Sequence, residues 1–334
     1  MKLILHIGSP KTGSTSLQKS LYANHDLLLE KGFFYPFFND EFNHNLLSLL
    51  VRNSPPTRQF IQGNIKPPAY YEESGFEALN KIIKQIDFLK PNTVILSSEY
   101  FFYDLNNEQM EILKQNLFDK FDDVKIVLYI KNPVDYYSSM ALQTFKASYI
   151  TQGPYVPSYK NIIQSYSKHF STDVIEFSSQ NLYQDDIVKD FYSRYVPEIK
   201  QNVPCVRMNT TISVESLLIL SKYQSIFYRS QNDVFNQGIK KAYKILQYIE
   251  QENKLFRKPK LKDWVINHIY ISSLEESRYL KDTFKIDFIK KPFHLNDSIR
   301  GDKKSFKIQD LFEIDQKRVD EILVHLLKFI ASIL

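Results

Sequence analysis

Three short, unbroken apolar runs constrain this chain most: Lys2–Ile7 (KLILHI), Thr93–Ser97 (TVILS) and Lys125–Ile130 (KIVLYI). A strand with one wet face alternates apolar and polar residues, whereas a strand buried on both faces is apolar throughout. Helix-period stretches separate the runs. Leu17, Leu21 and Leu28 follow the first, with Gly32 placed where that helix would stop. Phe76–Leu89, Gln109–Phe121 and a segment from about Val134 to Ala147 complete the pattern. Strand–loop–helix units in succession predict an α/β fold, a P-loop-like domain with a central parallel sheet flanked by helices. Asp173–Phe177 reads as a further strand and Phe33–Phe38 as a second short strand or extended segment, broken by Pro36. Asn43–Arg52 reads as a helix, while the prolines of Ser54–Ser74 and Thr151–Ser158 mark loops. From Val214 onward the chain is mainly helical, with a basic connector at Lys254–Lys262.

A chain of 334 residues can hold one large domain. We expect residues 1–195 to form the α/β core and 196–334 a helical part that is not independent of it. Net charge is +5, which suits an anionic small ligand but falls short of the clustered basic face expected for nucleic acid. The one cysteine, Cys205, excludes an intramolecular disulfide and fits a reducing compartment. MKLILHIG turns polar too soon for a signal-peptide core or a membrane span, so a soluble cytoplasmic chain is expected. The tail HLLKFIASIL reads as an amphipathic core helix, with a peripheral membrane contact as the other reading. The 25 Phe and 22 Tyr are first of all packing material, although exposed tyrosines such as Tyr70, Tyr71 and Tyr155 could stack on sugars.

In open parallel sheets, ligands bind beyond the carboxyl ends of the strands. Three strand ends carry chemistry here. After the first run comes HIGSPKTGSTSLQK, in which Gly8 and Gly13 have Walker A spacing but Ser14 and Thr15 stand where Lys-Ser/Thr belongs. Lys11 lies inside the loop instead. Glycines let the backbone wrap an anion, the following helix start points amides at it, and Ser14, Thr15 and Ser16 add hydroxyls. The second end is Ser98-Glu99. A carboxylate facing an anion site either takes a proton from an acceptor hydroxyl, or caps a helix and pairs with a lysine. At the third, Lys131 leaves the strand, Pro133 opens a helix and Ser139 lies two turns on. Lys131 and Ser139 could hold a second phosphate together, or Lys131 could be a solvated strand-end charge.

A magnesium-dependent kinase would want an Asp at a strand end, and these strands end in Ser-Glu and Lys-Asn. The seven histidines are scattered without zinc spacing, and no G-x-S-x-G elbow occurs. His6, inside the first run, reads as a satisfied core histidine.

These segments resemble the PAPS-dependent sulfotransferases. HIGSPKTGSTSLQKSL looks like their 5′-phosphosulfate loop, P-K-[TS]-G-[TS]-[TS]-x-L, matched at Pro10, Lys11, Thr12, Gly13, Ser14, Thr15 and Leu17. Lys131 to Ser139 looks like their 3′-phosphate motif, a strand-end Arg followed eight residues later by Ser, with Lys in place of Arg. Lysine cannot make the bidentate contact that arginine makes. The likeness extends to a bacterial branch through Ser98-Glu99, Asn43-His44, Asn209–Ser213 (NTTIS) and LEESRYLKDTF. Arg300-Gly301-Asp302-Lys303 is faintly similar to a Gly-rich basic segment of animal relatives and reads first as an ordinary basic turn.

The resemblance implies sulfuryl transfer from 3′-phosphoadenosine 5′-phosphosulfate (PAPS), a donor substrate, to an acceptor hydroxyl or amine without a metal. The acceptor would be a cell-surface glycan, a glycolipid or another hydroxylated compound. Lys11 would stabilise charge on the sulfuryl group and the leaving oxygen. Thr12, Gly13, Ser14, Thr15 and Ser16 would cradle the 5′-phosphate, and Lys131 with Ser139 the 3′-phosphate. Glu99 is the first choice of base. His44 is the second, as base or acceptor contact, unless it is a polar residue on an exposed helix face. The alternatives are a P-loop kinase or NTPase-like phosphotransferase with a displaced lysine, and a nucleotide-binding module without turnover.

Overall fold

The computed structural model describes residues 1–37, 41–52, 68–199, 211–231, 236–289 and 305–333. The apolar runs become strands of one sheet: β1 (Lys2–His6), β2 (Phe33–Phe34), β3 (Thr93–Ser97), β4 (Asp123–Ile130) and β5 (Ser171–Glu176). Their spatial order is β2-β3-β1-β4-β5, and every neighbouring pair is parallel. β1 therefore sits in the middle with β3 on one side and β4 on the other. The chain runs out to β2 and back through β3 before crossing β1 to reach β4. That reversal makes the carboxyl end of β1 the crevice of the sheet.

Both faces of the sheet are dry, as the continuous apolar runs require. Leu3, Leu5 and Ile7 alternate with Ile4 and His6, and the two sets enter different cores. One core joins Leu5, Leu96, Ile126 and Leu128 to the helices Pro68–Leu89, Asn107–Asn116 and Tyr159–Ser167. The other joins Ile4, Ile95, Val127 and Ile175 to Leu17 and Leu21 of the helix Ser14–Ala23 and to Phe191 of the helix Ile187–Tyr195.

A third core lies away from the sheet. Tyr137, Ala141, Leu142 and Phe145 of the helix Pro133–Phe145 pack there against Leu217, Leu246, Ile269 and Phe312 of the C-terminal part. This helix starts at the tip of β4 and ends inside the third core, so it links the crevice to the late helices. The last helix, Gln316–Ile333, buries Val319 and Ile322, whereas Leu327 and Ile333 are exposed. The expected core helix is thus core on one side only. Among the described residues no helix is long and apolar enough to cross a membrane.

Three local expectations are corrected. Asn45–Leu50 is a 3-10 helix rather than part of an α-helix over 43–52. The strand expected over Phe33–Phe38 shrinks to Phe33–Phe34, because Pro36 has no N–H to give a ladder. Residues 68–74, expected as loop, form the first two turns of Pro68–Leu89. Pro68 occupies the first helical position, where a missing N–H costs nothing. The rest of that expected loop lies outside the described residues, as do Asn209 and Thr210, Cys205 and Arg300–Lys303.

Phe145 is fully buried and closes the third core. Phe145→Ala is expected to lower unfolding free energy by about 3–5 kcal/mol, measured by urea denaturation.

Candidate functional site

The loop after β1 is built by close backbone approach. A Cβ on Gly8 would lie 2.5 Å from His6 Nε2, so only glycine fits between the strand end and the loop. The turn then passes through two left-handed residues, Lys11 (φ 68) and Gly13 (φ 83). Thr12 is buried, and both its amide and its hydroxyl donate to the Ser9 carbonyl, at 3.3 and 2.7 Å. Its hydroxyl therefore closes the loop and does not face outward. Gly13 caps the helix Ser14–Ala23 with no side-chain partner, and the first turn has no acidic residue. Among the described residues the amides of Gly13, Ser14 and Thr15 donate to no protein group. The Ser14 hydroxyl is buried without a partner as well. Unsatisfied donors converging at a helix start make an anion cradle. Pro10 and Ser16 are half-buried at its rim, and Thr15 is exposed.

Register brings the other two strand ends to this loop. Past the end of β1, Ile7 and Ser9 still donate to the Val127 and Tyr129 carbonyls, both at 2.9 Å. The continued register sets Lys131 opposite Pro10, and its Nζ lies 3.4 Å from the Lys11 carbonyl oxygen. The same Nζ donates to Ser139 Oγ at 3.0 Å and sits 5.8 Å from the Phe177 ring centroid. Ser139 in turn donates to the Asp135 carbonyl at 2.7 Å. Asn132 caps the intervening helix by accepting from the Val134 amide at 2.9 Å. The residues Lys131 and Ser139, eight apart in sequence, thus form one pair beside the loop.

On the β3 side, the Ser98 amide donates to the His6 carbonyl at 3.0 Å, which delivers Glu99 next to the loop. Glu99 is half-buried, and burial raises its pKa against the opposing pull of Lys11. Lys11 shows the mirror effect, lowered by desolvation and partly restored by Glu99. Its ammonium is nevertheless exposed and donates to Gln143 Oε1 at 2.8 Å. Burial also lowers the pKa of Lys131, with Asp135 acting against it. The cleft is therefore a place where charge is stored at reduced solvation, the condition under which an arriving anion gains most.

His44 is not on an exposed face. It is buried, its Nδ1 accepts from the Ser97 amide at 2.9 Å, and its Nε2 donates to the Pro36 carbonyl at 2.8 Å. Both nitrogens are committed to backbone groups, and desolvation pushes the pKa down to about 4. His44 therefore ties β3 to the segment after β2, and it has no free lone pair to take a proton from a ligand. His6 is a core residue as expected, yet only half satisfied. Its Nδ1 meets Ser97 Oγ at 2.8 Å, while Nε2 is buried without a partner under Gly8. Among the candidate sugar-stacking tyrosines, Tyr155 is 38% exposed and packs edge-on against Tyr136 and Tyr137, whereas Tyr70 is exposed at 51%. The Tyr71 side chain lies outside what the structure describes.

Four residues that sequence reasoning did not single out also face this cleft. Gln143 holds Lys11, Tyr136 is close enough to Glu99 to feel its charge, and Lys146 and Lys258 act on Lys11 and Lys131 respectively. A signal existed for part of this set. Tyr136, Ser139, Gln143 and Lys146 fall within an arc of about 80° on one helix. Among the described residues no group of three His, Cys, Asp or Glu side chains could hold a metal ion. No protein-family model matches the chain, and the search of curated proteins gives no match either.

The neutral state of His44 has a consequence for stability. Its folded pKa is about 4 against an ordinary 6.5, so between these values the unfolded chain binds the extra proton. His44 therefore costs stability as pH falls through 6.5, and its effect levels off below about 4. His44→Gln is expected to remove up to one proton from the acid-side slope of unfolding free energy, on the order of 3 kcal/mol across the window. Urea denaturation at a series of pH values measures it.

Proposed function

We propose that this chain is a sulfotransferase that moves the sulfuryl group of PAPS to a hydroxyl of a saccharide-type acceptor. The observation that carries the reading is the Lys131–Ser139 pair held against the carbonyl of Lys11. It gives the loop a second anion position at its side, as a nucleotide with both a 5′-phosphosulfate and a 3′-phosphate requires. A nucleoside triphosphate has no 3′-phosphate to place there.

In this reading the amides of Gly13, Ser14 and Thr15 and the Ser14 hydroxyl take the 5′-phosphate oxygens. Lys11 leaves Gln143 and neutralises charge on the oxygen that bridges phosphorus and sulfur. Glu99 receives the acceptor's proton. Its raised pKa makes it a stronger base than an exposed carboxylate, and Lys11 nearby favours its ionised form. The acceptor oxygen forms the new bond to sulfur, the bond from sulfur to the bridging oxygen breaks, and 3′-phosphoadenosine 5′-phosphate (PAP) leaves with the electron pair. The electrostatic term comes from donors already in place, the most effective kind.

Calorimetry without magnesium is expected to show PAP binding. Lys131→Ala is expected to weaken PAP at least tenfold and adenosine 5′-phosphosulfate less than threefold. Binding of Mg-ATP with no affinity for PAP would overturn the reading in favour of a phosphotransferase. Labelled-sulfate transfer to a glycan panel tests turnover, and PAP binding without any transfer would mark a nucleotide-binding module.

Lys11→Ala and Glu99→Gln are each expected to cost about 100-fold or more in kcat. The acid limb of the pH–rate profile is expected above the ordinary carboxylate range, because burial raises Glu99, and to vanish in Glu99→Gln.

A further inference from the structure

The helix Pro133–Phe145 sets out its polar contacts in a line. Ser139 holds Lys131, Gln143 holds Lys11, and Lys146 follows at the helix end. Successive steps along the axis are about 6 Å and about 4.5 Å. The order along this line is 3′-phosphate position, 5′-phosphosulfate position, then Lys146. On the sulfotransfer reading Lys146 lies beyond the end of the donor that carries the group to be transferred, on the side from which an acceptor would approach.

Lys146 is an unusual place for a lysine. It is half-buried, and its Nζ sits 5.2 Å from the Tyr243 ring centroid. Among the described residues no carboxylate pairs with it, and the nearest charge acting on it is Lys11, of the same sign. Desolvation, with Lys11 adding to it, brings its pKa down to about 8. A desolvated cation facing a like charge is unfavourable unless an anion is brought to it. The two anions of the donor already have their partners. The helix Gln237–Glu252 extends the cation outward, since Lys240 and Lys244 lie to one side of Tyr243 within an arc of about 100°. Neither is in an ion pair among the described residues.

We propose that Lys146, with Lys240 and Lys244 behind it, is an acceptor subsite for an anionic saccharide, one carrying a carboxylate close to the hydroxyl that accepts the sulfuryl group. This rests on the sulfotransfer reading for its geometry, because the donor defines which side is the acceptor side. Tyr243 stiffens the ammonium from below and leaves its other face to the carboxylate. Lys240 and Lys244 take the next residues of the saccharide with salt-sensitive contacts.

The test uses the full chain saturated with PAP, and two probes. One is an oligosaccharide of alternating uronic acid and hexosamine; the other is the same oligosaccharide with its carboxylates reduced to primary alcohols. Calorimetry at low salt is expected to show the carboxylated form binding at least tenfold more tightly. Lys146→Gln is expected to abolish that preference while PAP affinity stays within twofold, and Lys146→Arg to keep the preference. Lys240→Gln with Lys244→Gln, the first half-buried and the second exposed, is expected to flatten the salt dependence of binding. Equal affinity for the two probes, or no binding of either, overturns the proposal. So does a tenfold loss of PAP affinity in Lys146→Gln, which would make Lys146 a donor contact. The same titrations on the protein without PAP separate this proposal from the one it rests on. Failure of PAP to bind removes the sulfotransfer reading, while the two saccharides still judge the anion subsite.

Discussion

Parallel pairing of β1 with both β3 and β4 is the constraint on which everything else in the cleft depends. Parallel strands end at the same edge, so three chain segments far apart in sequence must deliver their next residues to one place. The fine placement comes from the ladder between β1 and β4. It continues through Ser9 and Tyr129 and sets Lys131 opposite Pro10, next to Lys11. A slip of one residue would turn Lys131 to the other face of the sheet and separate it from the Lys11 carbonyl.

Desolvation is shared among groups that oppose each other. Glu99 and Lys11 are both pushed toward neutrality by burial, and each pulls the other back toward its charged form. Among the described residues the compensation for Lys131 is Asp135 and the Phe177 ring, and for Lys146 the Tyr243 ring. The resting cleft is therefore short of negative charge. Free amides at the start of Ser14–Ala23 add to that shortage. This is the physical content of the proposal that an anionic nucleotide, and next to it an anionic acceptor, belong there.

His44 and Gln143 illustrate two ways a side chain can serve a site without facing a ligand. His44 spends both ring nitrogens on backbone groups and so fixes the end of β3, from which Glu99 emerges. Gln143 keeps the Lys11 ammonium in one position through a single hydrogen bond to its neutral amide oxygen, which an anion can outcompete. Among the described residues the buried Nε2 of His6 beneath Gly8 meets no hydrogen-bond partner.

Much of the fold was legible in the sequence because its signals are local. Continuous apolar runs specify strands buried on both faces, and β3 spans Thr93–Ser97 as read. The errors arose where a local signal had two meanings. Proline near residue 68 reads as a loop marker, yet at the first helical position it is a helix start. A six-residue apolar stretch at Asn45–Leu50 has a helical period but is too short to sustain an α-helix, and it packs as a 3-10 turn against Pro68–Leu89. The tight turn of Gly8, Lys11 and Gly13 into a helix start was legible because glycine spacing and a strand-to-helix junction coincide. The direction of each side chain was decided only by the tertiary structure. Thr12 turns inward, His44 is consumed by backbone partners, and Lys146 reaches the cleft from a helix end, because these outcomes depend on strand register and on burial by distant segments.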